Sequence, residues 1–550
     1  MRRRRPASSP RSPSAAAGRS SSTAWAPSCP SSRPPSPRMP RPGGHSRGAR
    51  SIAGLLLGVF FAALPAVPPA FGEDWKPVAD GVDYRLFLLP GPNRVHVARM
   101  AMSAPSVIIE SSIAGGELGA GLETVSDMAR RYDQSVIAWD GEWGARGRVL
   151  VAINGSSFDP ETSEPYGGLF HSGWYSLRYG DLAGGSGFVW THDRRGVIRG
   201  CVAHEGSRQV VTRLADGSRF EIDALNVRRP DDGLLLFTPQ YGAATPESRG
   251  EIEVVLRVER PVGVLPPPRS VEAVVLEVRD GNGGTPILFD HVVLAGKGPA
   301  ATGFLRGLGR GERLGMSQDI TDLGFGCRSE SGFDWNDVYA GIGGGFVFLR
   351  DGDIQHSDDA GAAVRDPRTA VCLNETSVFF VVVDGRRDDL SIGMTLEQLA
   401  RFCRDELGAT GGLNQDGGGS STMWVDGRVV NSPSDGHERV VANGFMMMAV
   451  EPAVRSTRFG PGYDVDVQAP GDVRAGPGPM YPALQVVTPG TTARIADTAP
   501  SLAGVFSRGS YWWKVEVGGE LGWLAEQSLV TPNVALSWFR LPPPPRAVAD

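Results

Sequence analysis

Runs of β-branched and aromatic residues recur at 149–153, 252–258, 271–278, 287–294 and 378–383, each ending in polar or glycine positions. Such runs predict strands. Helical spacing is rarer. Thr124 caps a predicted helix that runs to Tyr132, with Asp127 at the capping-box position, where Glu or Gln is the usual residue. The clearest helix spans 395–407. Thr395 and Gln398 form a capping box, Leu396, Leu399, Ala400, Cys403 and Leu407 share one face, and Gly408 stands at the stop position. Many strands with few helices predict an α+β domain over residues 73–451, a mixed β-sheet with flanking helices. A linker composition follows at 452–465. Residues 466–531 read as a small all-β barrel, with Gly518-Gly519 as a hairpin turn. A proline-rich tail, 532–550, ends the chain.

The first 72 residues differ in kind. They hold eleven arginines, no lysine and no acid, in low-complexity order. Their last part is a basic run at 47–50, an apolar stretch at 51–67 and small residues up to Gly72. This is the order of a secretory signal, with cleavage expected near Gly72 and the true start at Met1 or Met39. An uncleaved membrane anchor is the alternative, although the stretch is short and broken at Pro65. A secreted, periplasmic or cell-surface location is therefore expected. With the eleven leader arginines removed from the total of −6, the body carries a net charge of about −17. So acidic a body is a poor polyanion binder, and nucleic acid is not expected as a partner. Cys201, Cys327, Cys372 and Cys403 remain in the exported part and allow one or two disulfides in an oxidising compartment, or stay as small buried apolar groups. No histidine or cysteine spacing marks a metal site, and no cofactor motif is present.

Candidate chemistry is densest at 411–422, GGLNQDGGGSST. Gly417, Gly418 and Gly419 free the backbone so that successive N–H groups can face one anion. Asn414 and Asp416 precede them, and Ser420 and Ser421 follow. The turn can hold a phosphate or sugar oxygen, or it can be a plain glycine-rich loop. Two apolar runs also hand over to polar residues, one at Asn154-Gly155 and one at Asp384-Gly385-Arg386. Asp366, Arg368, Thr369, Asp435, Glu438 and Arg439 add charge and hydrogen-bonding groups. Serine hydrolase, P-loop and dinucleotide motifs are absent.

Arg368-Thr-Ala, Val383-Asp-Gly-Arg, Ser391-Ile-Gly-Met-Thr-Leu and Asn414-Gln-Asp-Gly-Gly-Gly-Ser-Ser-Thr occur in that order. With Asn154-Gly155 upstream and Asn431 to Arg439 downstream, the chain resembles the phosphodiester glycosidase family over roughly 75–451, most strongly over 365–450. The sequence departs from the family at Ser156-Ser157, at Gln415 where an apolar residue is usual, at Phe346 and at Cys372. The resemblance implies hydrolysis of the glycosidic C–O bond in a sugar-1-phosphodiester of the N-acetylglucosamine type. It implies Asp416 as the catalytic or sugar-binding carboxylate, with Asp384, Asp435 or Glu438 beside it. Arg368 and Arg386 would hold phosphate oxygens, and Arg439 would bind the substrate. Asn154, Asp384 and Asn414 would orient the substrate, Thr369 would bind it, and the 417–419 N–H groups with Ser420 and Ser421 would receive an oxyanion. The segment 466–531 resembles bacterial Src-homology-3-like domains through Val473-Arg-Ala-Gly-Pro and Gly522-Trp-Leu, which implies a cell-wall or peptide ligand. A non-catalytic wall- or glycan-binding protein on the same scaffold is the rival reading.

Overall fold

The apolar runs are strands because alternate side chains find a core on each face. In the strand Ser377–Val383, Val378, Phe380 and Val382 enter one cluster, while Phe379, Val381 and Val383 enter another. Burial on both faces explains why the run shows no polar alternation. The computed structural model describes residues 71–72 and 74–532, apart from 119–120, 140–141, 181–184, 228–231, 259, 499–501 and 503. The leader and the tail beyond Pro532 lie outside the described residues, apart from the short strand Phe71–Gly72.

Five sheets make up the described part. A nine-stranded sheet holds Asn93–Ala101, Ser377–Val383, Arg368–Leu373 and Gly411–Asn414 side by side at its centre. One face meets a second sheet, built on Glu142–Asn154 and Asn443–Glu451, through Phe380, Val382, Leu413, Ile153 and Phe445. Helix α3, Leu396–Leu407, covers the other face. Its ends are as the sequence predicts: Thr395 and Gln398 cap each other, and Gly408 closes it at φ 64°. Helix α1, Val125–Tyr132, starts at Thr124, whose hydroxyl accepts from the Asp127 N–H.

Two expectations need correction. The helical share is smaller than an α+β domain implies: α3 flanks the nine-stranded sheet as expected, but the fold is β-rich, and among the described residues only α1, α3 and α2, Pro299–Arg306, are α-helices. The ladders are antiparallel except for Ala224–Leu225 with Gly233–Phe237. Much of the difference is a separate eight-stranded sheet between residues 210 and 317. The run at 287–294 also starts its strand late, at His291. The N–H groups of Ile287 and Phe289 are already bonded to Ala243 and Ala475, which keeps them out of the ladder.

The C-terminal sheet runs from Asp464–Val467 to Leu529–Val530. Its hairpin pairs Val517 with Glu520 across Gly518 and Gly519, both at positive φ. Trp513 lies in this sheet's own core, but Trp512 and Trp523 join the core of the main body. Phe289 meets Trp143, Tyr481 and Trp523 edge-on, at ring separations of 4.6, 5.6 and 6.3 Å. Lys514 donates to both oxygens of Asp290, at 2.9 and 2.7 Å, and lies 3.0 Å from His291 Nε2. The C-terminal sheet is therefore seated on the body through an aromatic cluster and a buried ion pair.

That seat gives the fold a pH dependence. Burial, helped by Lys514, lowers the His291 pKa to about 3. Unfolded, the ring titrates near ~6.5. Between those values the unfolded chain binds more protons, so stability is full above about 6.5 and falls as pH drops toward 3. Burial pushes the Asp290 carboxyl up, but Lys514 and His291 hold it below its ordinary value, so its share is lost only at still lower pH. At pH 4.5 the expected loss from His291 is about 2–3 kcal/mol. Chemical denaturation at pH 7.5 and 4.5 reads it. His291→Gln should flatten the difference, and an unchanged pH slope in that variant would refute the assignment.

Candidate active site

Strand register brings the sequence-predicted residues together. Arg368 pairs with Val383, and Ala370 with Asn414, so one strand start and two strand ends lie together at one end of the central strands of the nine-stranded sheet. The end of Glu142–Asn154 reaches the same place from the second sheet. Asn154 is fully buried there and joins the two. Its Nδ2 donates to the Asp416 carbonyl (2.8 Å), and its Oδ1 accepts from Thr369 Oγ1 (2.8 Å) and the Thr422 N–H (3.2 Å). The Asp416 N–H donates to the Gly155 carbonyl at 2.9 Å. The Thr369 hydroxyl also lies 3.1 Å from Ser421 Oγ. The turn is thus fastened by its backbone, and the Asp416 carboxylate is left half-buried with Ser157 Oγ as its partner, at 3.2 Å.

The three glycines are close-packed: Gly417 against backbone, Gly418 at a positive φ, and Gly419 against two side-chain ends. A Cβ on Gly417 would stand 2.8 Å from the Pro367 carbonyl oxygen. Gly418 has φ 62°, and its Cβ would stand 2.8 Å from Arg386 Nη2. A Cβ on Gly419 would collide with Arg439 Nη2 and Asp435 Oδ2. Two guanidinium groups therefore lie against the glycine backbone. Arg386 is held by Asp366 at 2.7 and 3.0 Å, and Arg439 by Asp435 at 3.0 and 2.7 Å. Both arginines are close to half exposed, so they can meet a ligand. The hydrogen bonds it donates to Asp366, with Asp435 nearby, raise the Arg386 pKa above its ordinary value.

Around the turn, Asn414 Oδ1, both amide ends of Gln415, Ser420 Oγ and Thr422 Oγ1 are buried without a protein partner among the described residues. Buried polar atoms are normally satisfied.

Other predicted residues are used differently. Arg368 is mostly buried, and its donors reach the carbonyls of Met394 (2.9 Å), Gly361 (2.8 Å) and Val364 (2.6 Å). Burial lowers its pKa. Asp384 is buried and accepts from the Ser432 N–H (2.8 Å), Asn431 Nδ2 (3.3 Å) and His96 Nε2 (3.2 Å). Glu438 accepts from the Ser126 N–H (3.0 Å) and hydroxyl (2.6 Å) at the start of α1. These three groups fix the loops that carry the site. His96, Ser126 and Asn443, whose Oδ1 accepts from the Ser156 N–H at 2.9 Å, are partners that sequence reasoning missed. None of them stands in a motif, because each acts across more than 280 residues of chain.

Residues 306–448 match the model of the phosphodiester glycosidase family. The matched stretch holds every predicted site residue except Asn154. No curated protein matches the chain. Among solved structures, a hypothetical protein from Synechocystis is similar at 18% identity and a TM-score of 0.48, over 70% of this chain and 64% of that one. The catalytic domain of zebrafish N-acetylglucosamine-1-phosphodiester alpha-N-acetylglucosaminidase is similar at 14% identity and a TM-score of 0.31, over 70% of this chain and 85% of that one.

Proposed function

We propose that the protein hydrolyses the glycosidic C–O bond of a sugar-1-phosphodiester of the N-acetylglucosamine type, releasing free sugar and a phosphomonoester. The observation that carries this reading is the meeting of Asp416, Arg386 and Arg439 on one triple-glycine turn. A phosphomonoester leaves without much protonation, so the demanding species is the cationic sugar carbon. Asp416 faces that carbon as nucleophile, base or electrostatic partner. Arg386, Arg439 and the Gly417 and Gly419 N–H groups take the phosphate oxygens, whereas the Gly418 N–H, which the sequence pattern also offered, is bonded to the Pro367 carbonyl at 3.0 Å. Arg368, Asp384 and Glu438 position these groups from behind, and Asn154 with Thr369 locks the turn.

Export belongs to the same reading. It is supported by the leader's composition and by the Cys201–Cys327 disulfide, a bond that persists in oxidising compartments. Cys372 and Cys403 are buried thiols facing each other. The C-terminal sheet is a Src-homology-3-like module in this reading, one seated on the body and not displayed as a free wall-binding domain.

Hydrolysis in water enriched in heavy oxygen tests the chemistry. The label is expected in the free sugar, with an unlabelled phosphomonoester released. Label in the phosphate would mean P–O cleavage and would overturn the glycosidase reading.

A further inference from the structure

Two thiols that the proposed chemistry does not use meet behind the site. Cys372 lies on the strand Arg368–Leu373 and Cys403 on helix α3. Both are fully buried, and their sulfur atoms are 2.7 Å apart. Side-chain alternation brings them together. Ala370 and Cys372 share the strand face that meets α3, while Val371 faces the other cluster. Leu399, Ala400, Cys403 and Leu407 form the facing side of the helix. A buried cysteine can serve as a small apolar core group. Packing alone does not account for this pair, because unbonded sulfur atoms repel one another at such a separation. A structural zinc site takes four ligands, and among the described residues no group of three metal-ligating side chains includes these two.

We infer that Cys372 and Cys403 close to a second disulfide as the exported chain folds, tying α3 to the strand that carries Arg368 and Thr369. The inference rests on the export reading, which supplies an oxidising compartment, and is independent of the glycosidase chemistry.

The oxidant is a protein disulfide of the kind that such compartments maintain. The thiolate of one cysteine attacks it, forms a mixed disulfide and releases one of its sulfurs as a thiolate. The second cysteine then attacks the first cysteine's sulfur and releases the other. Two protons and two electrons pass from the pair to the oxidant, which leaves as a dithiol. In the folded protein, burial and the neighbouring Cys403 push the Cys372 pKa well above its ordinary value. Little thiolate is then present, and no oxidant reaches it. Closure therefore belongs to the stage before α3 docks. The two cysteines are 31 residues apart, against 126 for Cys201 and Cys327, and the shorter loop closes at less entropic cost.

The bond would complete a pair of anchors. Arg368 Nε donates to the Met394 carbonyl at 2.9 Å, just before the Thr395 cap. One strand thus holds α3 at its start through Arg368 and further along through Cys372. The same strand presents Thr369 to Asn154 and Ser421. Across the ladder, Cys372 pairs with Gly412 and Ala370 with Asn414, on the strand that leads into the glycine turn. The disulfide would brace that turn from behind without touching a ligand.

Thiol mapping of the full chain tests this. The protein is expressed with its leader in a bacterial host and trapped with iodoacetamide in denaturant at lysis. Cys201, Cys327, Cys372 and Cys403 are expected to stay unlabelled until reductant is added, and peptide mass should show the Cys372 and Cys403 peptides joined. Label on Cys372 and Cys403 beside a joined Cys201–Cys327 pair would overturn the inference, as would either one joined to another cysteine. In Cys403→Ala, Cys372 should take up at least about tenfold more label than in the wild type without reductant. Cys372 still blocked there would mean a different partner. Label on all four wild-type cysteines would count against the export reading instead. The same chain, reduced in denaturant and refolded in an oxidising glutathione buffer, then decides the pair: a Cys372–Cys403 bond keeps the pairing, and two thiols overturn it.

Discussion

Asp416→Asn lowers kcat on a sugar-1-phosphodiester by about 10³-fold or more, with thermal stability unchanged; that is the expected result. The expectation follows from how the turn is fastened. Its bonds to Asn154 and Gly155 use the Asp416 backbone, which the substitution keeps. An amide oxygen can still accept from Ser157, so the local geometry survives while the negative charge is lost. The charge faces the sugar carbon, where positive charge develops only as the bond breaks, so the loss should fall on kcat more than on KM. Near wild-type turnover in a folded Asp416→Asn protein would remove this carboxylate from the chemistry and shift attention to Asp435, the other carboxylate beside the glycines.

The largest stability effect is expected at Lys514. Its side chain and that of Asp290 are each 1% exposed, so their attraction acts almost without water. Lys514→Met removes the ammonium and leaves the carboxylate buried beside a neutral His291. Breaking a buried pair on one side costs about 3–5 kcal/mol. Lys514→Met combined with Asp290→Leu removes both charges and should recover most of that loss, because a buried pair contributes little over apolar packing. Denaturant titration of the two variants gives the comparison. If the double variant is as unstable as the single one, the lysine acts through packing and not through charge.

Much of the site was legible because its residues sit in contiguous motifs. The 414–422 turn, Asp384 to Arg386 and Arg368-Thr369 were each visible as strand-end polar residues. Their convergence was not visible, since it depends on Arg368 pairing with Val383 and Ala370 with Asn414. Division of labour was equally hidden. A sequence shows that Arg368 and Arg386 are both arginines. It does not show that one is spent on carbonyls under the loop while the other lies against Gly418. Helix α3 was predicted almost to the residue because its capping box and Gly408 are local signals. The sheet between 210 and 317 was missed as a unit because its strands pair across long separations, such as Val210 with Ser317. Trp512 and Trp523 belong to the C-terminal segment, and their chemistry gives no hint that they join the core of the main body.

The seating of the C-terminal sheet has one more consequence, in covalent chemistry. The sequence contains only three lysines, Lys76, Lys297 and Lys514. Lys76 is exposed, Lys297 is half-buried, and Lys514 is sealed beneath the sheet. An acylating reagent that consumes amines would mark the first two at once and reach the third only when the sheet lifts. The rate at which Lys514 becomes modified would then serve as an internal clock for that opening, readable by peptide mass without an added label.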